Sequence, residues 1–177
     1  MVLVLLVITT GVLAHTGADL ALSSLFYQSG GWPVGEQFPW KLLYRIDRTP
    51  AVLLAVGWLI VVIGSYRRPN LYQWRRAGVF TVLLLILGPG LLVNSVLKEH
   101  WGRPRPRDLV QFGGAKPFLQ PWQPGISGKG RSFPSGHASA AFFLATPWFV
   151  YRHRKPLAAH CWLWGGIGFG IVMSIAR

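Results

Sequence analysis

Apolar runs separated by short polar intervals set the pattern of this chain. The runs cover 1–14, 51–65, 77–97, 138–151 and 157–176, and each reads as apolar helix. The run 77–97 matches the roughly 20 residues needed to cross hydrocarbon, while 1–14 and 51–65 are short by strict count. Gly88-Pro89-Gly90 predicts a kink in the longest run, with neighbouring groups satisfying the backbone that proline frees. Gly165, Gly166, Gly168 and Gly170 predict close helix contact in the last run. The expected architecture is all-α, a polytopic membrane bundle with about five spans.

The connections carry their own signals. Leu20, Leu22, Leu25 and Phe26 suggest an amphipathic turn or two near the interface. Residues 28–40 form a Gly/Pro loop whose Trp32 and Trp40 suit the headgroup region. Asp47 is expected to cap the next helix, with Pro50 in its first turn. The interval 99–133 is too long for a simple connector. It is expected to hold turns and one short interfacial helix, with Phe118, Leu119 and Trp122 at the membrane.

Composition agrees with the membrane reading. The 177 residues are 51% hydrophobic and only 13% charged, which a soluble domain of this size would not match. The net charge of +13 raises nucleic acid as a partner. The cations instead sit in clusters between spans, so lipid headgroups and phosphate esters fit better and no nucleic-acid partner is expected. Cys161 is the only cysteine, which excludes a disulfide framework. The five carboxylates are scattered, without paired or H-E-x-x-H spacing, so no metal site and no cofactor is expected.

The candidate chemistry lies between Lys98 and Ser139. Lys98, Arg103, Arg105 and Arg107 come close together on a path held extended by Pro104 and Pro106. Arg131 then leads to Pro134-Ser135-Gly136-His137 at the mouth of an apolar run. Cations, a histidine and a helix N-terminus together read as a phosphate site. Lys98 alone reads equally as a snorkelling lysine. Ser135 reads as an N-cap or a phosphate ligand, and Gly136 as a place where backbone approaches an anion.

Lys98 followed after six residues by Arg105-Pro106, and then Pro134-Ser135-Gly136-His137, resemble the first two motifs of the type 2 phosphatidic acid phosphatase family. Within it the chain resembles the bacterial branch that includes lipid A phosphatases. The resemblance implies a helical fold shared with vanadium haloperoxidases, six spans in all, and a metal-independent lipid phosphate phosphatase. It implies that Lys98, Arg105, Ser135 and Gly136 bind phosphate and that His137 is the catalytic general acid. Arg177 matches the arginine that opens the third motif and would bind phosphate too. The nucleophilic histidine and its aspartate, which follow that arginine in the family, are absent here. His15, His100, His153 and His160 do not stand in that context.

The expectation is therefore one membrane domain over 1–177, C-terminally incomplete, with 98–137 as extramembrane active-site loop and start of the fourth main helix. Four basic residues lie in 66–76 and three in 152–155, against seven in 98–131, so charge counting leaves orientation nearly tied. The family places the site at the periplasmic face of a bacterial inner membrane. Its substrate would be lipid A or a related lipid phosphate, phosphatidylglycerophosphate or undecaprenyl pyrophosphate, cleaved through a phosphohistidine. The alternative is a non-catalytic lipid-phosphate-binding protein or an inactive fragment.

Overall fold

The computed structural model describes Gly11 and residues 16–176. The expected span 1–14 (Gly11 apart), His15 and Arg177 lie outside the described residues. In chain order the helices are α1 (Ala18–Ser24), α2 (Pro33–Glu36), α3 (Trp40–Ile46), α4 (Thr49–Gly64), α5 (Pro69–Tyr72) and α6 (Arg75–Leu85). A π-helix, Ile86–Leu97, runs on to α7 (Lys98–Trp101), followed by α8 (Gly136–Phe142), α9 (Pro147–Tyr151) and α10 (Pro156–Ile175). Among the described residues there is no strand, only isolated bridges at Gln28–Gly31 and Leu109–Lys116. The fold is all-α, as expected.

Among the described residues, three helical stretches are long and apolar enough to cross a membrane: Trp40–Gly64, Arg75–Asp108 and Pro156–Ile175. The expected fourth span is broken. A 3₁₀ turn, Phe143–Ala145, separates α8 from α9, where Pro147 removes a backbone donor and obstructs the preceding turn. The run that holds Pro89 winds as twelve residues of π-helix. Asn94 Nδ2 donates to the Pro89 carbonyl at 2.5 Å, a side-chain bond made within the π-helix.

The residues fall into two compact units, 41–97 with 135–177 and 1–40 with 98–134. In the first, many of the buried residues are small and many large apolar ones are exposed. Ala51, Ala140 and Phe143 form the core, with Leu54, Leu84 and Leu85 packed against it. Leu53, Ile60, Ile63 and Trp164 are each more than 60% exposed. That inversion of the soluble pattern suits a lipid surround, where packing between helices depends on small residues that let backbones approach. Gly78 is one such residue: an added Cβ would lie 2.6 Å from Val62 and 3.1 Å from the Trp58 carbonyl.

The second unit is held by rings and by loop backbone. Tyr27, Trp32 and Phe112 form a mutual cluster with centroids 5.2–5.3 Å apart. The loop after Phe118 is tied to residues 99–103, with Gly125 N–H donating to the Trp101 carbonyl (2.7 Å) and Ser132 N–H to the Arg103 carbonyl (3.0 Å). Gly102 has a φ of +64° and lies against Ile126 backbone, a position only glycine fits without strain. The short interfacial helix expected in this interval is replaced by 3₁₀ turns at Pro106–Asp108 and Val110–Phe112. The local turn bonds close to these prolines and glycines leave no run long enough for a helix.

Candidate active site

The PSGH stretch opens α8 as expected. Ser135 is its N-cap, accepting from Ala138 N–H at 3.2 Å. An added Cβ on buried Gly136 would run into the Asn94 carboxamide, so the missing side chain is also what lets α8 lie against the π-helix. Ser139 donates to the Gly136 carbonyl, a packing contact.

His137 occupies the first turn of α8 and is 7% exposed. Its Nε2 is paired with a carboxylate oxygen of Asp47. The Tyr44 ring stacks on the imidazole at 5.8 Å, with 22° between the planes. Asp47 is therefore not the cap expected for α4. Arg48 occupies the N-cap position without a side-chain cap bond, and Pro50 falls in the first turn as expected. One carboxylate oxygen of Asp47 accepts from Arg48 N–H, and the other faces His137. The carboxylate bridges the entry to α4 and the first turn of α8, two elements distant in sequence.

The cations of 98–131 sort by partner. Arg103 is paired with Asp19, donates from Nε to the Leu119 carbonyl at 2.9 Å and lies 5.5 Å from the Phe118 ring centre. Arg131 is paired with Glu99. Lys116 and Arg107 share Asp108, at 4.0 and 3.9 Å. Among the described residues the Arg105 guanidinium has no carboxylate partner. Its backbone N–H meets Asp108 Oδ2 at 3.3 Å, which holds the chain extended into the Pro106 turn. Lys98 opens α7, half-buried. Lys98 and Arg105 belong to one compact unit and Ser135, Gly136 and His137 to the other.

Reading the chain in sequence missed Asp47 and Tyr44 as partners of His137, and Asp19 as the partner of Arg103. Scarcity was the available signal. With 5 acids in 177 residues, a carboxylate beside an apolar run seldom stands without a task.

These features define an α-helical membrane protein with a cation-rich polar interval and a carboxylate-paired histidine at a helix start. The chain belongs to the PAP2 superfamily, whose profile matches residues 78–177. It is similar to the lipid A 4'-phosphatase of Francisella tularensis subsp. novicida (strain U112), 40% identical over 105 residues, 56% of this chain and 46% of that protein. It is 32% identical over 150 residues to the lipid A 4'-phosphatase of Rhizobium leguminosarum, covering 74% of this chain and 64% of the relative. The lipid A 4'-phosphatase of Rhizobium etli (strain ATCC 51251 / DSM 11541 / JCM 21823 / NBRC 15573 / CFN 42) is 31% identical over 150 residues, 74% of this chain and 58% of its own. The chain thus spans between about half and two thirds of the length of these relatives. No solved structure matches it.

Proposed function

We propose that this protein is a phosphatase acting on a membrane lipid, with lipid A or a related lipid phosphate as the first candidate substrate. The observation that carries the reading is the pairing of His137, in its family motif, with Asp47. The carboxylate fixes the imidazole at the helix start, and an imidazole held in one orientation is a group that can hand a proton to a leaving oxygen.

In this reading Lys98 and Arg105 bind phosphoryl oxygens, Lys98 as a point charge and Arg105 through its planar fork. The N–H groups at Ser135–His137 assist them, and Arg177 adds a further cation. A histidine in the third-motif context, which these 177 residues do not contain, attacks phosphorus. The P–O ester bond breaks as the leaving oxygen takes its proton from His137, and a phosphohistidine forms. Water then attacks phosphorus, losing a proton to neutral His137, the P–N bond breaks to release the nucleophilic histidine, and inorganic phosphate leaves. Asp47 acts as a positioning residue throughout. The proposal includes one membrane domain in a bacterial inner membrane, its 98–137 interval facing the periplasm, and a metal-independent mechanism.

The test is phosphate release from lipid A, phosphatidylglycerophosphate and undecaprenyl pyrophosphate by the full natural polypeptide in mixed micelles. Release from lipid A that survives chelator is the expected result. The competing reading is a non-catalytic lipid-phosphate binder. Saturable binding of these lipids with no phosphate released, by a polypeptide of 19.7 kDa intact mass, would establish that reading instead.

A further inference from the structure

Away from His137, the compact unit holding α4, α6 and α8–α10 carries a feature that phosphate-ester chemistry does not use. Trp58, Trp74 and Tyr151 pack together with centroids 5.7–6.4 Å apart. Beside them lies a cavity of about 500 Å³, lined also by Leu53, Leu71 and Lys155. Its size falls within the usual range for small-molecule sites, and apart from Lys155 its lining is largely apolar and aromatic.

The surroundings are cationic without compensation. Arg67, Arg68, Arg75 and Arg76 precede or open α6, and Arg152, Arg154 and Lys155 lie between α9 and α10. No Asp or Glu occurs between residues 48 and 98 or after 108. Rings hold these guanidiniums in place of carboxylates. Arg154 lies 4.7 Å from the Trp74 ring centre, and Arg75 lies 4.7 Å from that of Tyr66. Arg154 Nη1 also donates to Gln73 Oε1 at 3.0 Å. A guanidinium fixed by a ring face keeps in-plane N–H donors for an anion.

The place in the unit is defined by helix length. Asp47 and His137 stand at the start of α4 and α8, whereas Arg67 and Arg68 follow the other end of α4, whose 16 residues rise about 24 Å, and the cavity runs along the helix from Leu53 to Val61. A lipid here would not present its phosphate to His137.

We propose that this end of the protein binds an anionic phospholipid, with one acyl chain in the cavity beside Trp58, Trp74 and Tyr151 and the headgroup phosphate on Arg154 and Lys155. Charge complementarity selects the headgroup, because a zwitterionic lipid would place its own cation against this basic cluster. The proposal does not depend on phosphatase activity.

The test is native mass spectrometry of the purified, delipidated full natural polypeptide, offered phosphatidylglycerol and phosphatidylcholine of identical chains. Wild type is expected to retain phosphatidylglycerol preferentially. Arg154→Gln with Lys155→Gln should erode that preference by about 5-fold per cation removed. A second variant leaves the charge intact. Gly57 lines the cavity with no atom within 4 Å of an added Cβ, so Gly57→Phe should fill the space and reduce retention of the lipid. Equal retention of the two lipids by wild type would overturn the proposal. So would an undiminished preference in the double variant, or full retention by Gly57→Phe. If the double variant does not fold, the wild-type comparison and Gly57→Phe decide.

Discussion

Arg103 and Arg105 are two residues apart and carry the same side chain, yet their surroundings assign them different work. Arg103, only 12% exposed in its side chain, is held by Asp19, the Leu119 carbonyl and the Phe118 ring. Arg105 has no acidic partner among the described residues, and in the proposed function it meets the substrate anion. Arg105→Ala should lower phosphate release by about 100-fold or more while leaving the melting temperature near wild type. Arg103→Ala should do the reverse, costing about 2 kcal/mol of stability through the abandoned Asp19, as thermal unfolding in detergent would reveal. Asp47 invites a sharper experiment, because a positioning partner of a general acid matters most when the leaving oxygen needs a proton. Asp47→Asn should slow a lipid or alkyl phosphate by about 10-fold or more. p-Nitrophenyl phosphate, whose leaving group departs without protonation, should be slowed far less, and Asp47→Glu should recover part of the loss. An equal loss on both substrates would mean that Asp47 serves only the fold.

At the scale of elements, the glycines of α10 separate contact from coincidence. Four were expected to mark close packing, and two of them do so, one turn apart on a single face. An added Cβ on Gly166 would strike the Leu144–Ala145 backbone, and one on Gly170 would strike the Phe142 ring. Gly165 and Gly168 meet nothing within 4 Å. Gly166→Val should therefore destabilise the protein by about 2 kcal/mol. Gly168→Ala should be neutral or stabilising by about 0.5 kcal/mol, since alanine is the better helix former. Melting temperatures of the two variants in one detergent would check the contrast. Composition could not make this distinction, because a run of glycines records permissiveness on every face while packing uses one. The π-helix was hidden for a related reason. Gly88-Pro89-Gly90 predicts a disturbance, but its form depends on Asn94 five residues on and on the Gly136 backbone packed against that side chain.

At the scale of the whole molecule, the prediction concerns sides of the membrane. If the carboxylate-free basic clusters face the cytoplasm and the interval 98–136 the periplasm, two engineered cysteines should report opposite accessibility. In a Cys161→Ser background, Ser127→Cys should react with an impermeant maleimide in spheroplasts. Lys155→Cys should react only after the membrane is opened. Labelling in the opposite sense would reverse the orientation and remove the periplasmic assignment. The sequence by itself determined the helical class, most of the helical runs, the basic clusters and the motif residues that place the chain in its family. An apolar helix closes its backbone bonds within its own segment, so its presence is written locally. Only the tertiary structure decided that Asp47 belongs to His137 and Asp19 to Arg103, and which glycines face a neighbour. Those partners come from segments far apart in the chain, brought together by the packing of whole elements, and no local pattern records which element will lie against which.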